Sequence, residues 1–535
     1  MARRFWSGFL LAGALACAAP GSSTNANNSC RPEQARCDGD GLFTCGPDGT
    51  SISTRCDSAL GLVCDASARA CTGVCSDASL GASYIGCEYY PTITGNSVYK
   101  EFDFAVSVSN ATSEPAVITI DGGALDKPRI FEVAPRSVGI QKLPWVPLLK
   151  ACMNQSTSPF KTDCGSIEQP AALVKSGAYR LRSTRPVSAY QFNPLDYWRT
   201  KPAMYSYTAD ASLLLPKNAL TGEYISASWP AWLGKDDYLQ PGLVAVTATE
   251  DGTRVTVTTR APVAEGNGAP AFVAGVPKTV TLDRGDVLEL FAYEGDLTGS
   301  LVSADRRVQV ISGHYCTQVP IGMPACDHLE ESMFPVQTWG RDYVATAPAV
   351  PSMPNGKRTV VRVLASRANT KVTFDPPPNG APPSVVLADV GDTFELMNVT
   401  SDLHVTASAP IAVVQYMTAQ TAGGDTGDPS MALAIPQEQF RSSYLFHAPL
   451  TFKTNYVNVI APVGVAVDVD GSAIVANEPI GSSGYGVTRL VLGAGNGGYH
   501  AASSSAPFGI SVYGYGDYTS YWYPGGLDLR TINPR

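Results

Sequence analysis

The stretch Leu243-Val-Ala-Val-Thr-Ala-Thr-Glu-Asp-Gly-Thr-Arg-Val-Thr-Val-Thr258 decides the fold class. Two short runs of alternating, β-branched residues flank Glu250-Asp-Gly252, a turn sequence. Side chains on a strand point to opposite faces in turn, so a period of two with Val and Thr predicts paired strands. The same texture returns at Val360-Val-Arg-Val-Leu364 and Tyr456-Val-Asn-Val-Ile460, and Arg284-Gly-Asp286, Val390-Gly-Asp392 and Asp470-Gly471 stand between such runs. No long segment carries a 3.6-residue apolar period. The body from about residue 88 is therefore predicted to be all-β.

Working outward, the runs repeat. An apolar stretch, a proline and a tyrosine eight residues on occur as Leu215-Pro216 with Tyr224, Phe334-Pro335 with Tyr343 and Ile435-Pro436 with Tyr444. Each unit is expected to end in a strongly apolar strand: Val308-Gln-Val-Ile311, Ile411-Ala-Val-Val-Gln-Tyr416 and Phe508-Gly-Ile-Ser-Val-Tyr513, with a partial copy at Pro186-Val-Ser-Ala-Tyr-Gln191. Pro186, Pro410 and Pro507 precede that strand, and Arg307 takes the place in the second copy. The interval from this site to the next unit's proline is 30, 28 and 26 residues. The period is about 100 residues, against the roughly 40–45 of a propeller blade. Tandem β-sandwich-like units are expected, a propeller of paired blades being the alternative. The division is a first, partial unit at 75–200, then 201–315, 316–420 and 421–530.

The N-terminus reads as an address. Arg3 and Arg4 precede an apolar run that is too short to span a bilayer, and 1–16 is taken as a signal peptide. Ala14-Leu15-Ala16-Cys17 satisfies the small-residue cleavage rule and is also similar to a bacterial lipobox, in which Cys17 is lipidated. Ala14 departs from the leucine preferred there. The chain has 13 cysteines, an odd number for an exported protein. Lipidation of Cys17 would leave an even set. Residues 17–29 form a tether of small polar residues. In 30–74, Cys30, Cys37, Cys45, Cys56, Cys64 and Cys71 are spaced by 7, 8, 11, 8 and 7 residues. So short a segment needs crosslinks to fold, and sequence leaves their pairing open. Cys75 with Cys87, Cys152 with Cys164 and Cys316 with Cys326 are near neighbours suited to local disulfides.

One region goes beyond pattern. Leu297-Thr-Gly-Ser-Leu-Val-Ser-Ala304 leads into Val308-Gln-Val-Ile-Ser-Gly-His-Tyr-Cys316, Ala325-Cys-Asp-His-Leu-Glu-Glu331, Phe334-Pro335 and Thr338-Trp-Gly-Arg-Asp-Tyr343. This resembles the IgGFc-binding domain family. Ile85-Gly-Cys-Glu-Tyr-Tyr90 is similar to the opening motif of its bacterial members. The resemblance covers roughly 75–525 and is most specific over 297–343; the six-cysteine module lies outside it. It implies extracellular binding or adhesion through an all-β scaffold.

Only 16% of residues are charged, with a formal charge of −9, so no basic surface for nucleic acid is present. His314, Cys316, Cys326, Asp327 and His328 are the densest metal-capable set, but an oxidising compartment favours the disulfide. Arg284-Gly-Asp286 matches an adhesion tripeptide, and its counterpart Val390-Gly-Asp392 explains it as a turn. Asp468-Val-Asp-Gly471 and Asp425-Thr-Gly-Asp428 are oxygen-rich but lack the spacing of a calcium loop. No nucleophile elbow, zinc-protease helix motif or phosphate loop occurs. No enzyme, cofactor or metal is expected. Aromatics carry the binding expectation: Tyr518, Tyr521, Trp522 and Tyr523 are candidate contacts, with Trp229 and Trp232 ambiguous. The expected function is recognition of a protein or glycan at a bacterial cell surface, as an outer-membrane lipoprotein, or as a secreted protein if Cys17 carries no lipid. The alternatives are an envelope scaffold and a glycoside hydrolase-like enzyme with two carboxylates in a cleft.

Overall fold

The computed structural model describes residues 30–32, 34–151, 169–201, 203–234, 239–352, 356–378, 380–422, 424, 426–493 and 498–534. Cys17, Cys152, Cys164 and Asp425 lie outside the described residues. The chain divides into two compact units, 1–56 with 64–71, and 57–63 with 72–535.

The small unit is a three-stranded sheet of Ala35–Asp38, Gly41–Cys45 and Ser51–Arg55. Its buried apolar residues are few, Leu42 being one, and Ile52 is exposed. Disulfides Cys30–Cys45, Cys37–Cys64 and Cys56–Cys71 supply what burial does not.

The large unit repeats one topology four times. In the second repeat the strands are Thr221–Ile225, Gly242–Ala248, Thr253–Thr258, Lys278–Leu282, Val287–Ala292, Leu301–Thr317 and Asp327–Ser332. All pairs are antiparallel. The first and third flank the N-terminal half of the long sixth strand, with the fourth outside the third. The second and seventh flank its C-terminal half, with the fifth outside the second. Thus the sixth strand passes from one sheet to the other. The same order of pairing holds for Gly86–Tyr89, Phe104–Asn110, Ala116–Gly122, Arg129–Val133, Ser137–Leu143, Tyr179–Phe192 and Ala211–Leu214. It holds again from Asp342–Ala345 to Met431–Leu433, where the sixth strand is split into Leu403–Ala407 and Ile411–Met417. The last repeat runs from Arg441–His447 to Thr519–Pro524, with Tyr499–Gly516 as its sixth strand.

The sequence texture now has a cause. Thr253–Thr258 alternates because one face meets the core and the other faces out; Gly242–Ala248 is buried throughout because both of its faces are covered. Pro186, Arg307, Pro410 and Pro507 mark the crossing, where register slips in three repeats and the strand breaks in the third. Proline has no N–H to give and is tolerated where ladder pairing lapses.

That apolar strand is not the end of a unit, contrary to the sequence reading. A seventh strand follows it, and strand pairing assigns Ala211–Leu214, Asp327–Ser332 and Met431–Leu433 to the repeat before rather than the one after. The seventh strands also meet one another. Ala211–Leu214 and Met431–Leu433 each pack against both Asp327–Ser332 and Thr519–Pro524, so the four repeats close into a ring and the last lies against the first.

Each crossing is pinned by a tyrosine. Tyr224 Oη donates to the Val308 carbonyl at 2.8 Å and accepts from Thr221 N at 3.1 Å. Tyr343 does the same with Ile411 and Gly340, and Tyr444 with Phe508 and Arg441. The first repeat has a fourth copy, Tyr89, bonded to Val187 and Gly86.

Candidate functional site

At the ring axis stands Asp210, fully buried. Its carboxylate accepts backbone N–H groups from all four seventh strands: Ala211 at 3.0 Å, Glu330 at 3.1 Å, Met431 at 3.1 Å and Trp522 at 3.3 Å. These four residues occupy equivalent positions, one per repeat. Burial pushes the Asp210 carboxyl up, and the N–H donors oppose that shift. Beside it, Asp327 accepts from Ala209 N, His328 N and Thr519 Oγ1. Glu330 accepts from Asn193 Nδ2 at 2.6 Å and Thr94 Oγ1 at 2.9 Å. These carboxylates are sealed from solvent and are engaged in holding strands, whereas a hydrolytic pair flanks an open cleft.

The connections between sixth and seventh strands leave the axis at one end of the ring. In the second repeat the Cys316–Cys326 disulfide closes this loop. Ala419 N donates to the Val319 carbonyl at 3.0 Å and Thr421 Oγ1 to the Pro324 carbonyl at 2.8 Å, joining the loops of the second and third repeats.

The loops of the first and fourth repeats meet through aromatic rings. The first carries a hairpin, Trp198–Thr200 with Ala203–Tyr205; the fourth contributes the turn at Tyr518. Ring centroids lie 4.4 Å apart for Trp198 and Tyr205, 5.3 Å for Tyr205 and Tyr518, and 5.5 Å for Tyr207 and Tyr518. Trp198 is 39% exposed and Tyr518 46%. Tyr207 and Tyr518 both hold a left-handed backbone, φ 57° and 64°. That conformation costs a bulky residue about 1–3 kcal/mol, and such strain gathers at functional sites. Charged groups rim the cluster: Lys453 pairs with Asp517 and Lys142 with Asp196. A pocket of about 350 Å³ opens beside Trp198, between Lys142 and Arg199.

Of the aromatics singled out in the sequence, only Tyr518 belongs here. Tyr521, Trp522 and Tyr523 are fully buried. Tyr521 Oη bonds Asn455, Trp522 Nε1 bonds Ser511 Oγ, and Tyr523 Oη bonds the His447 carbonyl. They belong to a seventh strand enclosed by its neighbours and have no surface to offer a ligand. Trp229 is buried under the Arg362 guanidinium, and Trp232 Nε1 donates to the Cys316 carbonyl.

The remaining candidates are likewise occupied. His314 is buried and accepts from Cys316 N; burial brings it down to about 3. The sulfurs of Cys316 and Cys326 are bonded to each other. Asp286 of Arg284-Gly-Asp286 is buried and accepts from Ser176 N and Asp283 N, both at 2.9 Å. Asp392 makes the equivalent turn bond to Asp389 N. Asp468 accepts from Gly471 N, and Asp470 from Ala501 N and His500. Near Asp428, the carbonyls of Thr426 and Gly427 take the buried ammonium of Lys357, which burial lowers to about 7. That ammonium stands where a bound cation would.

Trp198, Tyr205 and Tyr207 carry no motif or periodicity in the sequence. Their one signal is aromatic density between Tyr197 and Tyr207.

The human IgGFc-binding protein is 26% identical over 332 residues, covering 61% of this chain and 6% of that protein. This chain therefore spans a small part of that relative's length. A solved biofilm-associated protein BSP domain aligns over 84% of this chain and 97% of its own, at 5% identity and a TM-score of 0.12, which is too low to bear on the fold. Residues 210–514 match the family described as IgGFc binding protein. The match runs from the axial Asp210 to the last sixth strand and takes in more than half of the chain, which therefore belongs to the IgGFc-binding protein family.

Proposed function

We propose that this chain is an extracellular binding protein that recognises a protein partner through the aromatic cluster of its loop face. The observation that carries this reading is the set Trp198, Tyr205, Tyr207 and Tyr518, brought together from two repeats and held partly exposed at the cost of backbone strain. Tyr and Trp give large rigid contact area at low entropy cost, and with Arg they dominate protein interfaces. Family membership supports a protein partner, since the human relative's name specifies the Fc part of IgG. A glycan is the second reading, favoured by the pocket beside the exposed Trp198 indole.

The proposal extends to location. Disulfides among the described residues favour an oxidising compartment, and Cys17 would anchor the mature protein by lipid at a bacterial surface. Mass spectrometry of the mature N-terminus tests the anchor: diacylglycerol on Cys17 is expected, and an unmodified Cys17 would contradict it.

The binding test is affinity capture with immobilised full-length chain, offered human IgG Fc, a set of extracellular proteins and a glycan array. One protein is expected to be retained, with retention falling at least tenfold in the Trp198→Ala/Tyr518→Ala double variant, since paired hot-spot aromatics carry about 2 kcal/mol or more each. Retention of a glycan alone would favour the second reading. Retention of nothing would favour a scaffold. Equal retention by the variant would remove the loop face as the site.

A further inference from the structure

We infer that the outer edge of strand Tyr485–Leu492 is a second docking site, which takes an extended segment of a partner protein: small apolar residues followed by a basic side chain. This does not rest on the loop-face reading. It follows from a comparison between repeats. In the second repeat the fifth strand, Val287–Ala292, does not end its sheet, because Ala171–Val174 adds antiparallel outside it. Ala171 lies opposite Leu290, Ala172 opposite Glu289, Leu173 opposite Leu288 and Val174 opposite Val287.

The fifth strand of the fourth repeat is Tyr485–Leu492, and among the described residues it ends its sheet with no strand outside it. Pairing through the second and sixth strands fixes the correspondence. Val244 faces Leu290 and Ser312, and Val457 faces Leu490 and Val512. Leu290 therefore corresponds to Leu490, and Val287, Leu288 and Glu289 to Val487, Thr488 and Arg489. Those last three residues line an open groove of about 850 Å³, walled by Pro376 and the 475–481 segment. The fold thus leaves a space at the register positions that a strand fills in the second repeat. Fifth strands Ser137–Leu143 and Thr393–Val399 also end their sheets.

Charge completes the match. In the second repeat Lys175, just past the added strand, pairs with Asp286 at 2.6 Å. The position of Asp286 corresponds to Gly486, which lies against the backbone of Glu478: a Cβ on Gly486 would stand 2.4 Å from the Glu478 carbonyl. Glu478 is exposed and lines the groove, whereas Arg489 is taken by Asp402 and the Ala347 carbonyl. An acid is thus available where the incoming segment would bring its base. Adding a strand to an open edge gives affinity through main-chain hydrogen bonds, and side-chain pockets give selectivity.

The probe is a labelled synthetic peptide of residues 169–175, Gln-Pro-Ala-Ala-Leu-Val-Lys, titrated into full-length chain by fluorescence anisotropy. Hydrogen exchange is read in parallel. Saturable binding is expected, with slowed exchange within 487–492. Glu478→Lys should weaken binding roughly fivefold, as for a surface ion pair, and Val487→Pro should abolish it, since the Val487 N–H faces the open edge, on the side to which Tyr485 turns its carbonyl toward Ile480 N, and proline removes that donor yet is tolerated on edge strands. Should Val487→Pro misfold, Glu478→Lys still decides. Absence of saturable binding, slowed exchange confined to 287–292, or equal binding by Glu478→Lys would each overturn the inference.

Discussion

Asp210→Ala is expected to destabilise the chain by roughly 3–5 kcal/mol, because each buried donor left without an acceptor costs about 1–3 kcal/mol and relaxation recovers part of the sum. The carboxylate is the shared acceptor for Ala211, Glu330, Met431 and Trp522. Alanine would leave four buried N–H groups at the one place where all four repeats meet. Asp210→Asn keeps the shape but turns an amide donor toward donors, so it should recover only part of the loss. Denaturant unfolding gives the size of the effect, and hydrogen exchange gives its place: the four named amides should lose protection together. An unchanged midpoint with those amides still protected would show that the ring does not depend on this hub.

Tyr444→Phe is expected to cost roughly 2–4 kcal/mol, at about 1–3 kcal/mol for each buried partner left unsatisfied. The ring stays and its packing against Phe508 is kept, so the loss isolates the hydroxyl. That hydroxyl joins Arg441 N to the Phe508 carbonyl, where the sixth strand changes sheets. The same exchange at Tyr89, Tyr224 and Tyr343 should give similar losses, because each makes the same two bonds. A loss at Tyr444 alone, with the other three neutral, would contradict the equivalence of the repeats.

These two devices differ in how far they could be read from the chain. Tyr224, Tyr343 and Tyr444 are legible because a proline precedes each by eight residues, initiating the short 3-10 turn before the first strand. Tyr89 has Gly81 at that distance, so its membership shows only in its hydrogen bonds. Asp210 carries no local signal, since three of its donors lie 120, 221 and 312 residues away. The seventh strands escaped for a different reason. Met431–Leu433 has three residues and Ala211–Leu214 four, too few to display a period, and they blend into the apolar stretch before the next proline.

Aromatic density proved ambiguous in both directions. Tyr521-Trp-Tyr523 resembles a contact patch in sequence, yet closure of the ring buries it on both faces. Trp198 and Tyr205 lie in a loop insertion with no pattern, and they become a surface only when the fourth repeat brings Tyr518 against them. Strand alternation reports which face of a sheet is inward. It does not report which repeats will be neighbours, and that is what places the proposed binding face.

Hydroxyl-radical footprinting of the full-length chain, alone and with its captured partner, tests that placement most directly. Loss of oxidation at Trp198 and Tyr518 on binding is the expected result. Unchanged oxidation of both residues, with protection appearing only on the outer strands of the ring, would contradict it.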